Sequence, residues 1–170
     1  MTPVGASGDS DAALPPQATI SAIRNDDTPA WCATAIATGA SWRRDAVARL
    51  HLHPIPTDPA MAVYTPDDLM TGLAPSGQTV ALYDDDHFYM GSVLAELLVA
   101  KGNRVHFITP AVKVAEWTDN TLEQGTIMRR LLELGVEIHL SKAPEAIGKA
   151  EITLGCTWTG RETTLATDAV

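Results

Sequence analysis

The run from Gln78 to Thr109, "QTVALYDDDHFYMGSVLAELLVAKGNRVHFIT", leaves little choice of fold. "QTVALY" is a short apolar run of strand length. Met90, Val93, Leu94, Leu97 and Leu98 then recur at i, i+3, i+4, i+7 and i+8, the stripe of an amphipathic helix. Gly102 follows the last of them, where a left-handed residue ends a helix. "RVHFIT" is a second strand. Two strands joined by one helix run parallel, with a right-handed crossover. The pattern then repeats. A helix is expected from near Asn120, with Asn120/Glu123 or Thr121/Gln124 as a capping box, and with Ile127, Leu131 and Leu134 on its apolar face. Gly135 closes it, and "VEIHL" is the third strand. "AEITLGCTWTGRETTLAT" reads as two strands joined at Thr159-Gly160. The expected fold is α/β: a Rossmann-like three-layer domain with a parallel sheet, β-α-β-α-β plus a β-hairpin.

Upstream the signals are weaker. Residues 1–17 are rich in Gly, Ser, Ala, Asp and Pro and read as a disordered tail. Residues 18–23 and 31–40 read as strands, the second closed by a Thr-Gly turn. Pro54, Pro56 and Pro59 exclude a continuous helix through the next stretch. "TPDDLM" is a short helix, with Thr65 as its cap, Pro66 at its first position and Asp67 and Asp68 in its first turn. The terminal "DAV" reads as the start of a strand, so a further C-terminal continuation is expected.

The 170 residues carry a net charge of -9, and 45% are hydrophobic, enough for one ordinary core. The charge argues against nucleic acid, whose phosphates demand clustered Lys and Arg. No apolar run approaches the ~20 residues needed to span a bilayer. Cys32 and Cys156 form no disulfide or cluster pattern, which suits a reduced, cytoplasmic chain.

The junction of the first strand and helix is the place where such folds grip phosphate. A dinucleotide site needs glycines there, so that backbone N–H groups can approach the pyrophosphate. Asp84, Asp85 and Asp86 stand in their place, and only Gly91 matches the last glycine, the one used for close packing. The second strand ends in Thr109-Pro110, with neither the acid for a ribose nor the Arg for a 2′-phosphate. A metal is a second use for Asp84, Asp85, Asp86 and His87, but neighbouring residues seldom converge on one ion. Capping of the following helix is the reading favoured for the aspartates.

Other candidates are set against plainer roles. His51 and His53 share one side of an extended segment but lack a third ligand. His106 and His139 alternate with apolar residues in strands and are expected to face a sheet surface or a domain contact. Arg43, Arg44 and Arg49 are a basic cluster expected to pair with acids. Trp42, Trp117 and Trp158 would mark an interface if exposed together. Ser41 and Ser76 lie in loops without a nucleophile motif, and no catalytic residue or metal site is expected.

"YDDDHFYMGSVLAELL", "VHFITPA", "EWTDNTLEQ" and "MRRLLELGVEI", with "AIATGASWRRD" upstream, resemble the trimethylamine dehydrogenase and histamine dehydrogenase family. The group includes 2,4-dienoyl-CoA reductase-like flavoproteins, and the resemblance runs from about residue 36 to 170. It implies a parent enzyme with an FMN and [4Fe-4S] barrel followed by two dinucleotide-type domains, the first holding ADP or FAD. On this resemblance residues 18–76 are a partial FAD/ADP-type domain and crossover. Residues 77–166 match the smaller NAD(P)-domain-like unit, and 167–170 match a truncated return strand.

The barrel, the cluster cysteines and the first glycine motif have no counterpart in this sequence. No cofactor is therefore expected in this chain. Thr38, Gly39 and Ala40, in the family's "ATG" turn, are the remaining cofactor-side candidates. The resemblance implies a non-catalytic scaffold piece of an oxidoreductase that oxidises a C–N bond in a small amine and passes electrons to an acceptor protein. Its partners would be the missing barrel and nucleotide-domain halves, or a homo-oligomer. A free-standing nucleotide-binding module and a subunit that docks on a separately encoded barrel are the alternatives.

Overall fold

A computed structural model describes residues 41–170. The tail, the strands expected at 18–23 and 31–40, and Thr38, Gly39 and Ala40 lie outside the described residues.

Helix α1 (Pro66–Met70) is short and defined by its cap. The Thr65 hydroxyl accepts from the Asp68 N–H, and Asp68 Oδ2 accepts from the Thr65 N–H at 2.7 Å, a reciprocal capping box. Arg44 Nη2 donates to the same carboxylate at 2.7 Å, so the box also ties the upstream segment to the helix. Thr65 is 4% exposed. Thr65→Ala is expected to cost about 1 kcal/mol, read from the urea midpoint at unchanged m-value.

Strands β1 (Thr79–Tyr83), β2 (Arg104–Ile108) and β3 (Glu137–His139) form a parallel sheet in that order. Thr79 pairs with Arg104 and His106 with Glu137. Helix α2 (Met90–Ala100) connects β1 to β2, and a 3₁₀ turn (Glu116–Thr121) with helix α3 (Gln124–Glu133) connects β2 to β3. The sheet extends past β1: Ala169 bridges in parallel to Val80 on one side and to Ala62 on the other. The terminal "DAV" is thus held against β1, with the Ala81 N–H donating to the Ala169 carbonyl at 2.9 Å.

The sheet is covered on both faces, which explains its nearly continuous apolar strands. Val80, Leu82, Val105 and Phe107 point to the helices, packing with Leu94, Leu98 and Leu131. Ala81 and Ile108 point to the other side, where Ile147, Ile152 and Leu154 cover them. Those residues belong to an antiparallel sheet of β4 (Lys142–Ile147), β5 (Glu151–Cys156) and β6 (Glu162–Ala166). The layers are helices, parallel sheet and antiparallel sheet.

Four local expectations need correction. Val93 is 59% exposed, and α2 buries Gly91, Leu94, Ala95 and Leu98 instead. Helix α3 starts at Gln124 with no side-chain cap. Asn120 and Thr121 serve the 3₁₀ turn, bonding to the carbonyls of Trp117 and Thr118. That turn is bracketed by Ala115 and Leu122, both left-handed, which places the capping candidates before the helix axis begins. The hairpin β5–β6 is present, but β4 adds a strand that the sequence conceals behind Pro144 and Gly148. Pro144 is tolerated because a register irregularity falls between it and Ala146.

Candidate functional site

The C-terminal ends of β1 and β2 open onto a shallow crevice of about 310 Å³, lined by Arg49, Leu50, Asp85, His87, Pro110, Ala111 and Glu116. In open α/β sheets this edge is the usual ligand position. Its chemistry follows from the Asp84–His87 loop.

Asp84 continues β1, its N–H donating to the Ile108 carbonyl at 2.9 Å. Its side chain turns inward and is almost fully buried. Oδ1 accepts from the Asp86 N–H at 3.3 Å, while Oδ2 has no partner among the described residues. Burial pushes this carboxyl up to about 6. The space it occupies exists because residue 91 is glycine: a Cβ there would stand 2.7 Å from Asp84 Cγ. Gly91 therefore serves close helix–strand packing, as its position implies.

The Asp85 side chain is also buried, 6% exposed, and is tied on both sides. Oδ2 accepts from the Leu50 N–H at 3.1 Å, and Oδ1 lies 3.3 Å from His87 Nε2. His87 adopts a left-handed backbone, φ 64°, and its carbonyl accepts from the Trp117 N–H. Trp117 in turn meets Phe88 edge to face at 5.4 Å and carries the Arg49 guanidinium 4.2 Å above its ring. Burial, with the charges of Asp85, Asp84 and Glu145, keeps the adjacent Tyr83 phenol protonated far above its ordinary range.

The aspartates do not cap α2. Its cap is Tyr89, without a side-chain bond, because the helix begins at Met90, four residues beyond Asp86. The Asp84 carboxyl lies against Gly91 in the first turn, yet it accepts from the Asp86 N–H, and Asp85 accepts from the Leu50 N–H, not from the helix. They anchor the loop instead. At the end of β2, Thr109 is fully buried and its N–H is bonded to the His139 carbonyl.

The other predicted residues are dispersed. Arg43 and Arg44 pair with Asp45 and Asp68, holding the first carboxyl down to about 2 and the second well below its usual range. Arg49 stacks on Trp117 instead. His51 lies 6.2 Å from the Tyr83 ring centroid, while His53 is exposed. Trp42, Trp117 and Trp158 are exposed in three different surroundings: beside Asp67, under Arg49, and bonded to the Ser141 hydroxyl. Ser76 donates to the Lys101 carbonyl. Cys156 is half-buried, its thiol lowered to about 7 by the Thr159 side chain and neighbouring N–H groups.

One cluster was not anticipated. His106 on β2 and Glu137 and His139 on β3 converge, with their ligand atoms all within 4.8 Å of one another. His106 Nδ1 is 3.1 Å from His139 Nε2 and 3.5 Å from Glu137 Oε2. Burial lowers both imidazoles, against the opposing pull of Glu137. The Arg104 guanidinium donates to Glu137 and keeps it ionised. The three residues span 33 positions, so only strand register brings them together.

The sequence profile of the OYE-like second alpha/beta domain matches residues 64–164. The chain belongs to that family. Histamine dehydrogenase from Rhizobium sp. 4-9 is similar in structure at a TM-score of 0.76 and 48% identity, over 78% of this chain and 21% of that one. The 6-hydroxypseudooxynicotine amine oxidase of Pseudomonas geniculata N1 follows at 0.73 and 37%, over 78% of this chain and 20% of that one. These likenesses place the chain with the trimethylamine and histamine dehydrogenases. A 2-naphthoyl-CoA reductase shares the fold alone, at a TM-score of 0.55 and 16% identity over 68% of this chain and 18% of that one. The chain spans about one fifth of the length of these enzymes. Among the described residues, no helix is long and apolar enough to cross a membrane.

Proposed function

We propose that this chain is a non-catalytic scaffold and interaction piece of an oxidoreductase of the amine dehydrogenase type. The parent reaction is oxidation of a C–N bond in a small amine, with electrons passed to an acceptor protein. The observation that carries the scaffold reading is the crevice at the ends of β1 and β2. In a Rossmann-like domain that edge receives a dinucleotide. Here it is lined by the chain's own Asp85, His87 and Arg49, with Asp84 filling the space beside Gly91. A pyrophosphate would meet carboxylates where it needs bare N–H groups. Among the described residues, those at this edge do not suit the pyrophosphate of ADP, FAD or NAD(P).

They do not fit an iron–sulfur cluster either. A [4Fe-4S] centre takes four thiolates, and the whole chain has two cysteines. FMN and the cluster would therefore be held by other parts of the enzyme, and this piece would contribute packing surface. The small cysteine count suits a reducing, cytoplasmic setting.

Calorimetric titration of the full chain with ADP, NADH and FAD tests the reading. The expected result is no saturable heat at millimolar ligand. Micromolar binding of any of the three would overturn it and favour a nucleotide-binding module. Co-expression with a barrel-bearing chain is the positive arm, and co-purification is expected.

A further inference from the structure

We propose that His106 Nδ1, His139 Nε2 and Glu137 Oε2 bind one divalent late first-row metal ion, of the zinc class, at the outer strand of the parallel sheet. The inference is independent of the scaffold reading.

Strand register builds the site. In the β2–β3 ladder His106 lies opposite Glu137, and Ile108 lies opposite His139. Side chains alternate along a strand, so Glu137 and His139 share the face on which His106 lies. Neighbouring Phe107 and Ile138 turn the other way, into the helix-side core. Three donors are thus fixed by rigid backbone rather than by a loop.

The spacing suits an ion. Around a tetrahedral centre with bonds of ~2.05 Å, ligand atoms stand about 3.3 Å apart. The separations of 3.1 Å between the imidazole nitrogens and 3.5 Å from His106 to Glu137 bracket that value. His106 is 4% exposed, so the innermost donor is dry and fixed. The Glu137 carboxylate is half-exposed and able to close the remaining gap. Two imidazoles and one carboxylate favour zinc, cobalt, nickel or copper over magnesium and calcium.

A supporting contact is also in place. Arg104 Nε donates to Glu137 Oε1 at 2.9 Å, which leaves Oε2 directed to His106. Such outer hydrogen bonds orient metal-ligating carboxylates. Three protein donors leave a fourth position for water or for a donor from a partner surface.

The test titrates the metal-free full chain with Co²⁺, read by its visible d–d absorption, and then displaces it with Zn²⁺. One ion per chain is expected, with Mg²⁺ unable to compete. His139→Gln and Glu137→Gln should each weaken uptake by about tenfold or more, and His53→Gln should leave it unchanged. Independently of any variant, Zn²⁺ should shift the imidazole ¹⁵N resonances of His106 and His139. Absence of one-to-one uptake in millimolar Co²⁺, or a band that survives in both variants, would overturn the proposal. So would ¹⁵N shifts confined to other histidines.

Discussion

Asp84→Asn is expected to stabilise the chain by about 3 kcal/mol at about pH 8 and to change almost nothing at about pH 3. Asp84 is a buried carboxyl with one oxygen bonded to the Asp86 N–H and the other without a partner. Its folded pKa, about 6, lies above the ordinary 3.8. Between those values the folded chain binds more protons than the unfolded one, so stability falls as pH rises. The penalty is absent below the ordinary value and complete above about 6. A tenfold change in proton affinity is worth ~1.36 kcal/mol, and the distance between the two pKa values gives the figure.

The groups facing Asp84 moderate this elevation without reversing it. His87 and two backbone N–H groups pull it down, and Asp86 pushes it up. The amide of Asn keeps the shape and the Asp86 contact, and it matches the neutral carboxyl in polarity. At low pH the two chains therefore have equal stability. Urea denaturation at three pH values reads the difference. A variant whose stability tracks that of the native chain from acid to alkaline pH would show that Asp84 is solvated when charged.

Gly91→Ala is expected to cost about 2 kcal/mol, against the usual direction for a glycine in a helix. Alanine normally gains ~0.5–1 kcal/mol there. The added Cβ would sit 2.7 Å from Asp84 Cγ and 2.9 Å from Asp84 Cβ. Asp84 cannot retreat, because its backbone is bonded to β2 and its side chain is enclosed. Asp84→Ala in the same chain should recover the part of the cost owed to the carboxyl group, giving a coupling energy in a double-mutant cycle.

Gly155→Ala provides the contrast. Its Cβ would also meet a carboxylate side chain, that of Glu145. Glu145 is exposed and can swing away, so a cost below about 1 kcal/mol is expected. Equal costs at the two glycines would show that the Asp84 pocket is not rigid.

Much of the architecture was legible in residue order. Periodicity located β1, α2, β2, α3 and β3, because each buries a face with a local repeat. The Thr65 cap of α1 was legible because cap, proline and first-turn acids lie within four residues, whereas the reciprocal bond from Asp68 came only with the structure. The hairpin β5–β6 showed itself through Gly160, whose φ of 67° suits the turn. β4 was not legible, because Pro144 and Gly148 look like loop residues until β5 is placed beside them. The displaced start of α3 was hidden for a related reason: the 3₁₀ turn used the capping residues first.

The candidate sites divide along the same line. The sequence alone determined that three aspartates stand where the first βα turn of a dinucleotide site carries glycines, since that is composition at fixed positions. It also determined the family, through the runs around that turn. Only tertiary structure decided what the aspartates do. Asp84 faces Gly91 across a strand–helix contact, and Asp85 meets Leu50 from 35 positions away. Likewise only the β2–β3 ladder brings His106 to Glu137 and His139. Helical and strand periods are written into neighbouring residues. Hydrogen-bond register between distant strands is not, and the convergence of side chains across it appears only once the chain has folded.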